Sequence, residues 1–226
     1  MKYILQLLMV IFITMAGYAQ SGSGKYFVFL NTNPNRTALP ETEVNEIQRQ
    51  HMANMDSLAR EKLLLAAGPF HGGGGLQVIS ASKAEDAKTL VNSDPAIQAG
   101  RFNTEILPLR MGVGGICPVK EPYEMVEYQF IRYVPVNETI AEESPKKLEK
   151  YIKRHLNYLK ANYFKHKLIA NGDFGPGLGG FLIAYKNDSE DFENFLKYDP
   201  YVKSELYTLD VRILWIAQGT FCERPR

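Results

Sequence analysis

The chain has 226 residues, 45% of them hydrophobic and 23% charged, with a formal net charge of +1. That apolar content excludes general disorder. There is no run of Lys and Arg to supply phosphate contacts, which argues against nucleic acid and against an anionic membrane surface as partners.

The first segment places Lys2 before an uncharged apolar run from Tyr3 to Met15, then small residues at Gly17 and Ala19 and a polar stretch from Gln20 to Gly24. This is the layout of a secretory signal peptide cut after Ala19, and it directs the remainder to the periplasm or the exterior. A membrane-spanning helix needs about 20 apolar residues, more than this run offers. No membrane partner is expected after cleavage. Loss of Lys2 from the 26 basic residues leaves 25 against 25 acidic ones, a formally neutral chain.

From Tyr26 to Asn31 the sequence reads as a strand, and Val44, Ile47, Met52, Met55, Leu58 and Ala59 then form the apolar stripe of a long helix. A short strand at Leu63 to Ala67 follows, then a loop from Gly68 to Gly75 and a strand at Leu76 to Ser80. Ser82 with Glu85 has capping-box spacing for a second helix that ends near Asp94-Pro95, and a last strand runs from Phe102 to Leu109. The same order returns downstream. Val126 to Val134 is a strand. Ser144 and Pro145 are an N-cap and first-turn pair for a helix with Leu148, Ile152, Leu156 and Leu159. Strands at Leu168 to Ala170 and Phe181 to Tyr185 flank a loop from Gly172 to Gly180. Asp188 with Asp191 is a weaker capping signal, and Leu206 to Ala217 closes the unit.

The spacing of landmarks marks a duplication. His51 lies 17 residues before Gly68 and His155 lies 17 before Gly172, while Asp94 lies 23 before Cys117 and Asp199 lies 23 before Cys222. The register slips by one residue inside the glycine-rich loops, where insertions are tolerated. Residues 25–117 and 126–222 are thus two copies of a βαββαβ unit, the ferredoxin-like order, joined by a linker at 118–125. In strand one Phe27 and Phe29 oppose Tyr26, Val28 and Leu30, and in the last strand Ile213 and Trp215 oppose Leu214 and Ile216. With helices on one face only, the second apolar face needs cover. The two copies are expected to pack sheet against sheet within the chain, with neither side of these strands left to water.

The ordered set of His51, then Leu64-Leu65-Ala66-Ala67-Gly68-Pro69-Phe70, then Ser82 to Asp86, then Asp94-Pro95 and Gly100 resembles the YCII-related family. Copy two keeps His155, Gly172 and Asp199-Pro200 but has Asp173 where copy one has Pro69. The resemblance implies an α+β fold of the dimeric α+β barrel kind, usually made by two chains and here by one, similar to muconolactone isomerase. It also implies a His and Asp pair lining a small pocket, and one relative is reported to remove chloride from a hydroxylated aromatic ring.

The residues themselves leave two readings of each candidate. His51 and His155 lie on or beside the apolar stripes of their helices, as a satisfied core histidine or as a general acid or base. Asp94 and Asp199 precede proline at a helix end, as turn formers or as partners that fix a histidine tautomer. A histidine exchanges protons near neutrality without a metal or organic cofactor, and none is implied. The glycine loops do not lead into helices and lack a Lys-Ser or Lys-Thr ending, so nucleotide binding is not supported; they read first as hairpin tips over a pocket mouth and second as cradles that hold an anion with backbone N–H groups. Gly112, Gly114 and Gly115 follow a strand and precede a linker, which rules out a dinucleotide fingerprint. His71 has no counterpart and is expected to be exposed. His51, His155 and His166 have no metal-ligand spacing.

Cys117 and Cys222, the only cysteines, close equivalent ends of the copies, either as one disulfide or as two buried thiols. The leading reading is a cofactor-independent acid or base enzyme, a lyase or isomerase on a small cyclic or aromatic molecule, using His51 with Asp94 and His155 with Asp199. The alternative is a noncatalytic periplasmic module that binds a small ligand or only assembles. Self-association into a higher homo-oligomer stays open.

Overall fold

The computed structural model describes residues 24–136 and 140–222; the leader proposed at 1–19 lies outside the described residues. Strands β1 (Gly24–Thr32), β2 (Leu64–Pro69), β3 (Gly75–Ala81) and β4 (Phe102–Pro108) form a sheet in the order β2-β3-β1-β4. Helices α1 (Glu41–Arg60), α2 (Ala84–Asn92) and the short α3 (Pro95–Gln98) complete the unit. After β5 (Arg110–Met111) and β6 (Gly115–Ile116), the second unit repeats the plan. It has β7 (Met125–Pro135), α4 (Pro145–Asn162), β8 (Leu168–Asp173), β9 (Gly180–Tyr185), α5 (Glu190–Lys197), α6 (Pro200–Lys203) and β10 (Tyr207–Ala217), with β11 (Phe221–Cys222) last. Its sheet runs β10-β7-β9-β8-β5.

The two sheets close on each other. β5 leaves the first sheet and pairs with β8 through Arg110 with Asp173 and Met111 with Gly172. On the opposite side Phe70 bridges to Leu214, and the His71 N–H donates to the Ile213 carbonyl at 2.9 Å. Both seams force glycine at the repeated landmark. A β-carbon on Gly68 would lie 2.6 Å from the Trp215 carbonyl oxygen, and one on Gly172 would lie 2.8 Å from the Arg110 carbonyl oxygen. The strand that closes the barrel passes where a side chain would stand. The result is an α+β barrel assembled from two half-barrels of one chain, with helices outside.

The barrel interior is aromatic and filled. Phe27, Phe29 and Phe70 of the first unit pack against Phe130, Phe174 and Phe181 of the second, together with Leu214 and Ile216, all at most 4% exposed. Fully burying each such side chain is worth about 1.5–3 kcal/mol. The strands alternate as expected. Val28 and Leu30 face α2 with Ile79 and Val91, and Ile131, Tyr133 and Leu182 face α4 and α5 with Leu148, Ile152 and Phe192. Cys117 and Cys222 are joined in a disulfide with their Cα atoms 5.7 Å apart, beside the two-stranded β6-β11 ribbon.

Several local expectations are corrected. Met52 is 46% exposed and Ala59 is exposed, because α1 buries only His51 and Leu58 and lies over a narrower strip of sheet than its stripe suggests. Trp215 is 44% exposed and Val211 46%, since β10 runs beyond the helix layer and its outer face meets water. Ser82 does not cap α2, whose N-cap is Lys83 with no side-chain bond. Asp188 yields its place to Ser189, whose hydroxyl accepts from the Phe192 N–H at 3.2 Å. Ser144 caps α4 as read, accepting from the Lys147 N–H at 3.3 Å. His71 is exposed, and it contacts Glu127 at 3.0 Å.

Candidate functional site

Asp94 and Asp199 serve both roles that the sequence left open. Each is the N-cap of a short helix that starts at the following proline. Asp94 Oδ1 accepts from the Ala96 N–H at 2.8 Å, and Asp199 Oδ1 accepts from the Tyr201 N–H at 2.9 Å. This cap fixes the carboxylate, and the long helix of each unit then brings a histidine to it. His51 Nδ1 lies 2.6 Å from Asp94 Oδ2, and His155 Nδ1 lies 2.8 and 2.9 Å from the two oxygens of Asp199. A carboxylate accepts, so Nδ1 donates and Nε2 is the edge of each ring that the carboxylate leaves free.

The two edges meet different surroundings. The His51 side chain keeps 9% of its surface, and no described residue hydrogen-bonds its Nε2. The residue two after its aspartate is Ala96, too small to cover the ring, and the nearest aromatic ring, Phe102, is 6.2 Å away. His155 is fully buried. Tyr201, two after Asp199, stacks on it at 4.0 Å with the rings 4° from parallel, and Tyr133 meets it edge-on at 4.6 Å. Tyr133 also donates its hydroxyl to Asp199 Oδ2 at 3.0 Å. Burial, with the Asp199 charge adding to it, pushes the Tyr133 hydroxyl well above its ordinary pKa, which keeps it a donor. His155 Nε2 is buried without a hydrogen-bond partner among the described residues.

Tyr133 and Tyr201 were missed by the sequence reading. Comparing the copies position by position would have found Tyr201, because it faces Ala96 at the same offset from aspartate. The clefts at Lys165–Asn187 and at Leu63–Leu90 include none of His51, Asp94, His155 or Asp199. Among the described residues no group of three His, Cys, Asp or Glu is placed to hold a metal, and no helix is long and apolar enough to cross a membrane.

Fold and site together define a one-chain α+β barrel in which each half carries a buried His–Asp pair. Residues 25–110 match the model of the YCII-related domain. No curated protein matches the chain. Among solved structures, a mutant chlorite dismutase from Candidatus Nitrospira defluvii bound to cyanide superposes with a TM-score of 0.50 at 10% identity, covering 88% of this chain and 92% of that one. A second mutant of that enzyme gives 0.50 at 11% identity, with 86% and 92% covered. A monooxygenase-like protein from Lactobacillus acidophilus NCFM is 16% identical over 88% of this chain and 98% of that one, with a TM-score of 0.45. At these identities the similarity to chlorite dismutase is one of fold.

Proposed function

We propose that the first unit is a cofactor-independent acid or base catalyst, a lyase or isomerase acting on a small cyclic or aromatic molecule, with His51 exchanging the proton and Asp94 orienting it. One observation carries this reading. His51 Nδ1 is tied to a carboxylate that is itself locked by a backbone N–H, while Nε2 remains unclaimed by any described residue on a ring that is still partly exposed. A ring held in one tautomer with one free nitrogen is what proton transfer to a substrate carbon or oxygen requires.

The second unit supports a different role for its copy of the pair. With Tyr201 and Tyr133 closed over it, His155 with Asp199 acts as the polar core of that half, and we read the unit as a diverged copy of the YCII-related domain. This is the noncatalytic reading, applied to half of the chain. Export to an oxidising compartment belongs to the same proposal, and the Cys117–Cys222 disulfide supports it.

The test combines accessibility with chemistry. Diethyl pyrocarbonate should acylate His51 in the folded chain and leave the enclosed His155 unmodified. Turnover is then sought on unsaturated lactones, by loss of ultraviolet absorbance, and on chlorinated hydroquinones, by chloride release. His51→Asn should abolish either activity, and His155→Asn should spare kcat in whatever protein folds. A His51 that resists acylation, or turnover that survives His51→Asn, would refute the assignment.

A further inference from the structure

Away from the His–Asp pairs, a cleft of about 500 Å³ opens between the C-terminal end of α4 and the end of β9. It is lined by Lys165, His166, Lys167, Tyr185, Lys186 and Asn187. The first unit has a cleft at the corresponding place, about 270 Å³, lined in part by Leu63, Ser80, Ala81 and Ser82. Ser80, Ala81 and Ser82 follow Gly75 by the same intervals at which Tyr185, Lys186 and Asn187 follow Gly180. The same architecture is therefore built without cationic walls in one half, and the lysines of the other are not a demand of the fold.

Those lysines are only partly answered. Lys165 reaches Asp191 at 3.0 Å and Lys186 reaches Asp188 at 4.0 Å, both exposed pairs of small worth. Lys167 has no ion pair among the described residues. Between them sits His166, 3% exposed and lying against the Phe195 ring at 4.3 Å. Its nearest carboxylate oxygen, on Asp191, is 3.8 Å away, beyond hydrogen-bond range, and no described group hydrogen-bonds its ring. An imidazole that is 3% exposed and takes no hydrogen bond from a described group thus stands in a cleft walled by three ammonium groups. Burial, then the Lys165 charge, hold its pKa below the ordinary histidine value, so the ring is neutral at pH 7.

We propose that this cleft is a binding site for a small organic oxyanion, a carboxylate or phosphate ester, held between Lys167 and Lys186 with His166 as a third donor and its organic body against Tyr185. The groups that face His166 are Lys165 and Lys167 beside it, Asp191 from α5, and Lys186 with Asp188 from the segment after β9. An oxyanion would tip this balance toward protonated His166. Binding is therefore tighter at pH 6 than at pH 8, with affinity falling by up to about tenfold per pH unit above the His166 pKa.

The experiment titrates the disulfide-bonded chain with benzoate and with inorganic phosphate and follows the histidine Cε1–H resonances. A saturable shift of His166 alone is expected, with its titration midpoint raised by the ligand. Lys167→Gln and Lys186→Gln should each weaken binding by about tenfold, the usual scale for a charge-assisted hydrogen bond. Both are surface changes that leave the His51 resonance as a check on folding. No saturable shift at His166 overturns the proposal, as does unchanged affinity in the doubly substituted chain. Association with phosphatidylglycerol vesicles without binding of either free anion also overturns it, by assigning the lysines to a membrane surface. The outcome is independent of any activity at His51.

Discussion

Replacing Asp199 with alanine should cost far more stability than replacing Asp94, although the sequence presents the two as equivalents. Asp199 is fully buried and receives three donors: His155 Nδ1–H, the Tyr133 hydroxyl and the Tyr201 backbone N–H. Each buried donor left without an acceptor costs about 1–3 kcal/mol, so the change is worth roughly 4–6 kcal/mol after some relaxation. Asp94 receives two donors, and the His51 ring that supplies one keeps enough surface for water to replace the lost acceptor, which brings its cost to about 1–3 kcal/mol. Against the 5–15 kcal/mol typical of a domain, the first change nearly exhausts the stability and the second does not. Equilibrium urea unfolding followed by fluorescence measures both. Trp215 is the only tryptophan and lies at the β10–β2 seam, so it reports opening of the barrel. Because the two halves share one aromatic core, each variant should unfold in a single transition with an unchanged slope. Equal costs for the two substitutions, or a larger cost for Asp94→Ala, would refute the reasoning.

Reduction of the Cys117–Cys222 bond, which spans 105 residues, should lower stability by about 4–5 kcal/mol in the chain-entropy account, seen as a fall in urea midpoint with dithiothreitol. Gly68→Ala would set a methyl 2.6 Å from the Trp215 carbonyl oxygen, so the seam must part and about 1–3 kcal/mol is lost; Gly74 is not a substitute control, since its φ is positive, and Lys88→Ala on the exposed face of α2 serves instead. Burial pushes the Tyr207 hydroxyl up to about 12 from 10.0. The unfolded chain releases this proton first, so stability should fall as pH rises from about 10 toward 12, and Tyr207→Phe should flatten that slope in thermal scans.

Much of the fold was legible because strand alternation and helix period are local. Phe27 and Phe29 opposing Val28 and Leu30 is a statement about a pleated backbone, and the structure puts the first pair in the inter-sheet core and the second on the helix side. Repetition supplied the rest, since the intervals from His51 to Gly68 and from His155 to Gly172 mark equivalent places whatever surrounds them. The misreadings concern how elements sit against each other. Met52 falls in the apolar stripe of α1, yet its burial depends on how far the helix is rolled on the sheet. Trp215 alternates correctly, yet no helix reaches the part of β10 that carries it.

What the sequence by itself determined is the pair of units, the parity of their strands and the identity of the two His–Asp candidates, since these follow from periodicity and duplicated spacing along one chain. Only the tertiary structure decided that the halves close into a barrel through Gly68 and Gly172, and that two equivalent histidines differ in access. The second difference comes from Tyr201 standing where Ala96 stands. A ring lies flat on the imidazole in the first case, and an alanine stands at that place in the second. Whether a side chain covers its neighbour is a matter of distance across the fold, which spacing along the chain does not encode.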